Sequence, residues 1–250
     1  MIDYHQRPEI SQSMLKKFAE SPRLVKVSTE KTVSMNLGTC LDLALTDPVA
    51  YSQLKVKDTK TTKVEGCITQ HWKQLIDRWA FDLNDYQIKV LGKTYRFEDV
   101  AKICNKQKIL SWNDPVTGEP CRGKMDYYHS KFMIDLKSTS ATTFEEFIRQ
   151  IWKLKYYLQA SWYCTGHRET LKTNQYVPFF IIGVSTVTGE IFCVEVSPEL
   201  LELGIMEQNQ LVASYIFTRD NNLWFKNQEQ LLLTPPVWLK EQIFNNQGVL

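Results

Sequence analysis

The sequence predicts an α/β fold in which a central mixed β-sheet is flanked by helices. Three observations predict it. Residues 121–128 and 132–138 are strand-like runs on either side of a two-residue turn, and read as a β-hairpin. Residues 178–185 and 190–196 form a second pair of apolar runs around Thr188-Gly189. Long helical periodicities, over 144–164 and 198–219, follow each pair. Strands interleaved with amphipathic helices pack as a sheet covered on its faces.

The elements follow in order. Residues 10–19 carry an N-cap serine, Ser11 or Ser13, then Met14, Leu15 and Phe18 on one helical face, and Ser21-Pro22 as a stop. A second short helix covers 37–45 and ends before Asp47-Pro48. Residues 54–66 are polar, basic and without period, and read as a mobile loop. Helical character returns over 70–80 and 97–106. The helix over 144–164 has Thr142 or Thr143 as its cap and Glu145-Glu146 in its first turn, where the helix dipole favours acid. After the last helix come Pro235-Pro236 and the apolar segment Val237-Trp238-Leu239.

A chain of 250 residues is large enough for a sizeable core. We expect one domain over 1–250, with a helical part over about 1–110, a core over 111–220 and a tail over 221–250. The net charge of +2 confines any nucleic-acid surface to a local patch. There is no apolar run long enough for a membrane span and no secretory pattern over 1–5, which points to the cytosol. The six cysteines are scattered, without a Cys-x-x-Cys pair, which argues against a structural zinc or iron–sulfur centre.

The hairpin carries the chemistry. Asp135 and Lys137 lie two apart and project to one face, while Ile134 and Leu136 point to the other. A turn at Ser130-Lys131 sets Asp126 across from Asp135, with Cβ atoms roughly 5 Å apart. Two carboxylates with the Leu136 carbonyl make an oxygen-rich site for Mg²⁺, with Mn²⁺ as a substitute, beside a phosphodiester. Lys137 would orient water or stabilise charge on the phosphate. Service as a base would need a depressed pKa, which two carboxylates oppose. Asp-x-Lys alone also describes an ordinary charged strand. The facing aspartate, the apolar flanks and the helix that follows bring the metal-site reading level with that one.

These residues resemble the motif of the PD-(D/E)XK nuclease superfamily, with Met125-Asp126 in place of Pro-Asp and Asp135-Leu136-Lys137 after it. Gln159-Ala160-Ser161-Trp162-Tyr163 resembles the Gln-x-x-x-Tyr motif of the RecB-like branch, whose two named residues share a helix face. The segment 10–22, Leu37-Gly38-Thr39-Cys40-Leu41-Asp42 and Thr117-Gly118-Glu119-Pro120-Cys121-Arg122 resemble the corresponding segments of exonuclease VIII-type recombination nucleases. The resemblance implies a site of Asp126, Asp135, Lys137, Gln159 and Tyr163, with Asp42 as a metal ligand where relatives carry His. It implies an exonuclease that degrades one strand of linear duplex DNA from the 5′ end, a ring-like homo-oligomer (trimer or tetramer) and an annealing partner protein.

Arg122 and Lys124 precede Asp126 on its strand and are placed for DNA phosphates. Lys60 and Lys63, with Lys55 and Lys57, offer phosphate contacts from the basic loop. By resemblance, Ser13 is a candidate for a terminal 5′ phosphate. Two alternatives stay open: a structure-specific or repair endonuclease of the same superfamily, and a non-catalytic DNA-binding protein.

Overall fold

The computed structural model describes residues 7–28 and 30–224. The tail segment 235–239 lies outside them. A short strand β1 (Ile10–Ser11) leads into helix α1 (Gln12–Glu20), where the Ser11 side chain accepts from the Met14 N–H as the cap. Helix α2 (Val33–Thr46) starts four residues before the predicted 37, because Thr32 caps it through the Met35 N–H. After α3 (Pro48–Ser52), the basic segment is partly ordered. Strand β2 (Lys55–Lys57) pairs in parallel with β3 (Cys67–Thr69), and only the residues between them form a loop.

Helix α4 (Gln70–Asp85) is followed by an unforeseen hairpin, β4 (Gln87–Val90) and β5 (Lys93–Arg96). Helix α5 (Phe97–Lys102) stops short of the predicted 106, since β6 (Asn105–Asn113) begins there. Strands β7 (Pro120–His129) and β8 (Phe132–Thr139) form the expected hairpin, turning at Ser130-Lys131. The long helix predicted over 144–164 is instead two, α6 (Phe144–Lys153) and α7 (Tyr156–Leu171). Lys155 is left-handed (φ 52°) and breaks the helical path. Strands β9 (Phe179–Ser185) and β10 (Ile191–Val196) and helix α8 (Pro198–Asp220) follow as predicted.

Strands β1, β7, β8, β9 and β10 lie in that order, with β6 pairing β7 as a sixth strand. Sheet pairings are mixed: β8 runs parallel to β9, and β7 is antiparallel to both β6 and β8. Each face of the sheet has its own core. One gathers Leu15, Phe18, Phe147, Ile151, Trp162 and Val212 from α1, α6, α7 and α8. The other gathers Leu41, Ile76, Trp79 and Phe97 from α2, α4 and α5. The six cysteines carry no disulfide, and burial pushes the thiols of Cys40, Cys104, Cys121, Cys164 and Cys193 up, which makes them unreactive. No helix among the described residues is long and apolar enough to cross a membrane.

The pairing of β7 positions the site. Its ladder with β8 covers only Tyr127↔Ile134 to His129↔Phe132, while β1 pairs in parallel with Cys121 and Arg122. Strand β6 runs along β7 on its other side, so β1 and β8 share one edge and leave 123–126 without a strand partner there. Met125 and Tyr127, two residues apart, enter different cores. The regular alternation of a strand therefore fails at Asp126. Opposite it, Gln107 adopts a left-handed conformation (φ 51°).

Gly183 on β9 tests the packing under this sheet. A Cβ there would stand 2.4 Å from the Phe147 ring, which is itself fully buried. Gly183→Ala is expected to cost about 1–3 kcal/mol through overpacking. Urea denaturation would read this as a lower midpoint at unchanged slope. A midpoint equal to wild type would show that Phe147 yields freely.

Candidate active site

Where β7 and β8 part, the Asp126 side chain takes over from the missing ladder. Its Oδ2 accepts the Leu136 N–H at 2.8 Å. Asp126 thus reaches across to β8 beside Asp135, although the ladder itself ends one pair earlier, at Tyr127↔Ile134. Ile134 and Leu136 pack into the core under α2, as the alternation predicts. Asp135 and Lys137 face α7. Asp135, only 4% exposed, accepts from Gln159 Nε2 at 3.1 Å and is ion-paired with the Lys137 ammonium. Lys137 Nζ also donates to Gln159 Oε1 at 2.9 Å and lies 4.9 Å from the centre of the Tyr156 ring. Gln159 Nε2 is within 2.9 Å of the Tyr163 hydroxyl, so both residues of the helical motif join the hairpin. Gly123 makes room for that tyrosine, since a Cβ there would stand 2.9 Å from its ring.

Asp42 arrives from α2. Gln107 Nε2 donates to both of its carboxylate oxygens, at 2.9 and 3.1 Å, and to Asp126 Oδ1 at 3.2 Å. One neutral amide thereby bridges two carboxylates. Gln107 has no counterpart in the sequence reading, because it lies in the polar stretch 105–108, ahead of the buried alternation of Leu110 and Trp112. Lys16, one turn past Ser13 on α1, is a further cation near Lys137 that the motifs do not include. Burial lowers its pKa, Glu20 raises it, and the nearby Lys137 lowers it further.

A cavity of about 240 Å³ opens beside Asp126 and Gln159. Ser13, Arg122, Lys124, Gln107 and Tyr163 line it. Arg122 is almost fully buried, and its carbonyl accepts from Trp162 Nε1. Ser13 and Ser11 hydroxyls lie 3.1 Å apart at the mouth of α1. Thus Ser13, Arg122 and Lys124 converge with Asp126, Gln159 and Tyr163. Lys60 and Lys63 do not: they are exposed on the loop between β2 and β3 and make no contact with these side chains.

The electrostatics are those of crowded acids. Burial pushes the Asp126 carboxyl well above its ordinary range, and the neighbouring Asp135 and Asp42 add to the shift. Burial also raises Asp42, with Lys124 opposing and Asp135 reinforcing. Burial would lower Lys137, but Asp135 and Asp126 outweigh it, and the ammonium is held above its ordinary value. A base at this position is therefore disfavoured, and a fixed positive charge is favoured. Among the described residues no three acidic, His or Cys side chains already close around one point. The donor set still fits a hard divalent cation. It offers carboxylate oxygens from Asp42, Asp126 and Asp135, whose mutual repulsion a cation relieves.

A stability profile tests this crowding. The folded state binds protons on Asp42 and Asp126 more tightly than the unfolded chain does. Metal-free stability should therefore fall as pH rises from about 4, where free aspartate titrates, toward neutrality. Thermal melts in EDTA should show the midpoint dropping over this range, with Mg²⁺ restoring most of it at the upper end. Asp126→Asn should flatten the EDTA curve. A wild-type midpoint that rises with pH in EDTA would contradict the assignment.

Comparisons with known proteins give the family and the fold. The model of a family described as a PDDEXK-like domain of unknown function (DUF3799) matches residues 11–230. No curated protein matches the chain in sequence. A crystal structure described as a "putative exonuclease" from Eubacterium rectale superposes with a TM-score of 0.63 at 15% identity, covering 96% of this chain and 97% of that one. At that identity the likeness is one of fold. With a matched family model spanning most of its length, the chain belongs to the PDDEXK-like family DUF3799, and so to the PD-(D/E)XK nuclease superfamily.

Proposed function

We propose that this protein is a Mg²⁺-dependent deoxyribonuclease, with Mn²⁺ able to substitute, acting as a 5′-to-3′ exonuclease on linear double-stranded DNA. Its product would be a 3′ single-stranded overhang for phage- or prophage-type recombination. The observation that carries the reading is the hydrogen-bonded set of Asp126, Asp135, Lys137, Gln159 and Tyr163. This set borders a small cavity holding Ser13, Arg122 and Lys124. A cationic recess walled by α1 suits a terminal phosphate better than a continuous duplex, which favours attack from an end.

Asp42, Asp126, Asp135 and the Leu136 carbonyl would hold the metal, which supplies Lewis-acid polarisation of the phosphate and an acidified water. The chain's own groups do the rest. Lys137 stays protonated between Asp135 and Gln159 and meets the negative charge that develops on the phosphate. Gln159 fixes the lysine and Asp135 together, and Tyr163 fixes Gln159. Arg122 and Lys124 neutralise the phosphate bound in the recess. A ring-like trimer or tetramer around DNA, and an annealing protein that takes up the product strand, complete the proposal.

Digestion of end-labelled linear duplex and closed circular DNA, each with Mg²⁺ or EDTA, tests it. Linear DNA should lose nucleotides from its 5′ ends only with Mg²⁺, and the closed circle should survive. Cutting of the circle would replace this reading with the endonuclease one. Lys137→Ala should lower kcat by about two to three orders of magnitude, as loss of a preorganised charge does. Full activity in Asp135→Ala would remove the site.

A further inference from the structure

We propose that a second cavity, at the carboxyl ends of β8 and β9, is a subsite for the phosphodiester backbone of the strand being cut. It would hold that strand on the side of Lys137 away from Arg122 and Lys124; this rests on the nuclease reading above. The cavity measures about 360 Å³ and is lined by Ser34, Ser138, Ser140, Thr186, Lys153 and Tyr156, among others. It adjoins a further recess that shares Ser140 and Lys153 and adds Arg149. Ligand sites in α/β sheets favour the carboxyl ends of parallel strands, and β8 and β9 are this sheet's parallel central pair.

Its place relative to the chemistry is fixed by Lys137. The ammonium touches Gln159, which lines the cavity holding Ser13 and Arg122, and the ring of Tyr156, which lines this one. Lys137 therefore stands between two cavities, and Ser138 and Thr139 at the end of its strand, with Ser140 just after them, line the second. A chain with regularly spaced phosphates can occupy both while presenting one phosphate at Lys137.

The lining suits phosphate. Lys153 and Arg149 lie four residues apart on α6 and share its face. Lys153 has no hydrogen-bond or ion-pair partner among the described residues. The one carboxylate on the rim, Glu146, accepts from the Thr142 N–H and hydroxyl, at 2.8 and 2.9 Å, and also attracts Arg149. Hydroxyls and cations together are the groups that bind nucleic-acid backbones without reading bases.

The test is fluorescence anisotropy of a labelled single-stranded oligonucleotide with a 5′ phosphate, titrated in EDTA over a range of salt. It compares wild type, Arg149→Ala/Lys153→Ala and Arg149→Ala/Lys153→Arg. Losing two backbone contacts should weaken binding by about tenfold and reduce the slope of log K against log salt by roughly 1.4. Restoring one charge with Lys153→Arg should recover about half of the slope change. In cleavage assays the double variant should raise KM rather than lower kcat. An unchanged Kd and slope, an effect confined to kcat, or a wild type that binds no oligonucleotide would each overturn the subsite. Oligonucleotide binding with the expected slopes but no metal-dependent cutting would instead sink the nuclease reading. Cutting that ignores both substitutions would sink the subsite alone.

Discussion

The parting of β7 and β8 at Asp126 is the constraint from which the site follows. A hairpin paired along its whole length would bury Asp126 and Asp135 in a regular ladder. Here β1 takes the edge that β8 gives up, and the Asp126 carboxylate receives the Leu136 N–H. That bond gives the Leu136 amide a partner where the ladder has ended. The same point turns β7 over, which sends Met125 and Tyr127 into opposite cores. Both helical layers gain access to one place. Asp42 enters from α2 on one face, and Gln159 enters from α7 on the other.

Three aspartates gathered at such a point repel one another, and the fold manages this with neutral donors and one cation. Gln107 spans Asp42 and Asp126, and it does so from a left-handed backbone conformation that a non-glycine residue adopts only at a cost. Lys137 serves Asp135, with Gln159 touching both. The amide donates hydrogen bonds but carries no charge, so it leaves the repulsion between the acids in place. A divalent cation supplies what the amide lacks. The lysine, meanwhile, cannot easily lose its proton between two carboxylates, which confines it to electrostatic and orienting work.

The parts that were legible in the sequence are those with local causes. The hairpin turn, the caps at Ser11 and Thr143 and the proline start of α8 each follow from a few neighbouring residues. So do the strands β9 and β10, which are apolar and bounded by a glycine turn. Strands β4, β5 and β6 were hidden because β5 is exposed throughout, and the buried alternation of β4 and β6 is confined to two residues each, Ile88 and Val90 in one and Leu110 and Trp112 in the other. Gln107 was hidden for a further reason: its role exists only because residues 42 and 126 come together beside it. Asp42 itself was found by position within a motif, and its contact with Gln107 and nearness to Lys124 came only with the fold.

The break at Leu154-Lys155 has the same character, and it shapes the site more than its size suggests. Periodicity over 144–164 is continuous, so the sequence gives no sign of two helices. The break is held from outside, by Glu207 on α8, which pairs with Lys155 and accepts from the Tyr157 hydroxyl. It sets Tyr156 at the first position of α7, under the Lys137 ammonium, with Gln159 one turn later on the same lysine. Helix α6 ends at Lys153 with its polar face toward the hydroxyls that follow β8. A single uninterrupted helix could not place Lys153 over Ser140 and also bring Gln159 to Asp135 through independent packing of its two halves. The left-handed residue at 155 is thus the joint that lets one stretch of chain wall two cavities and hold the lysine between them.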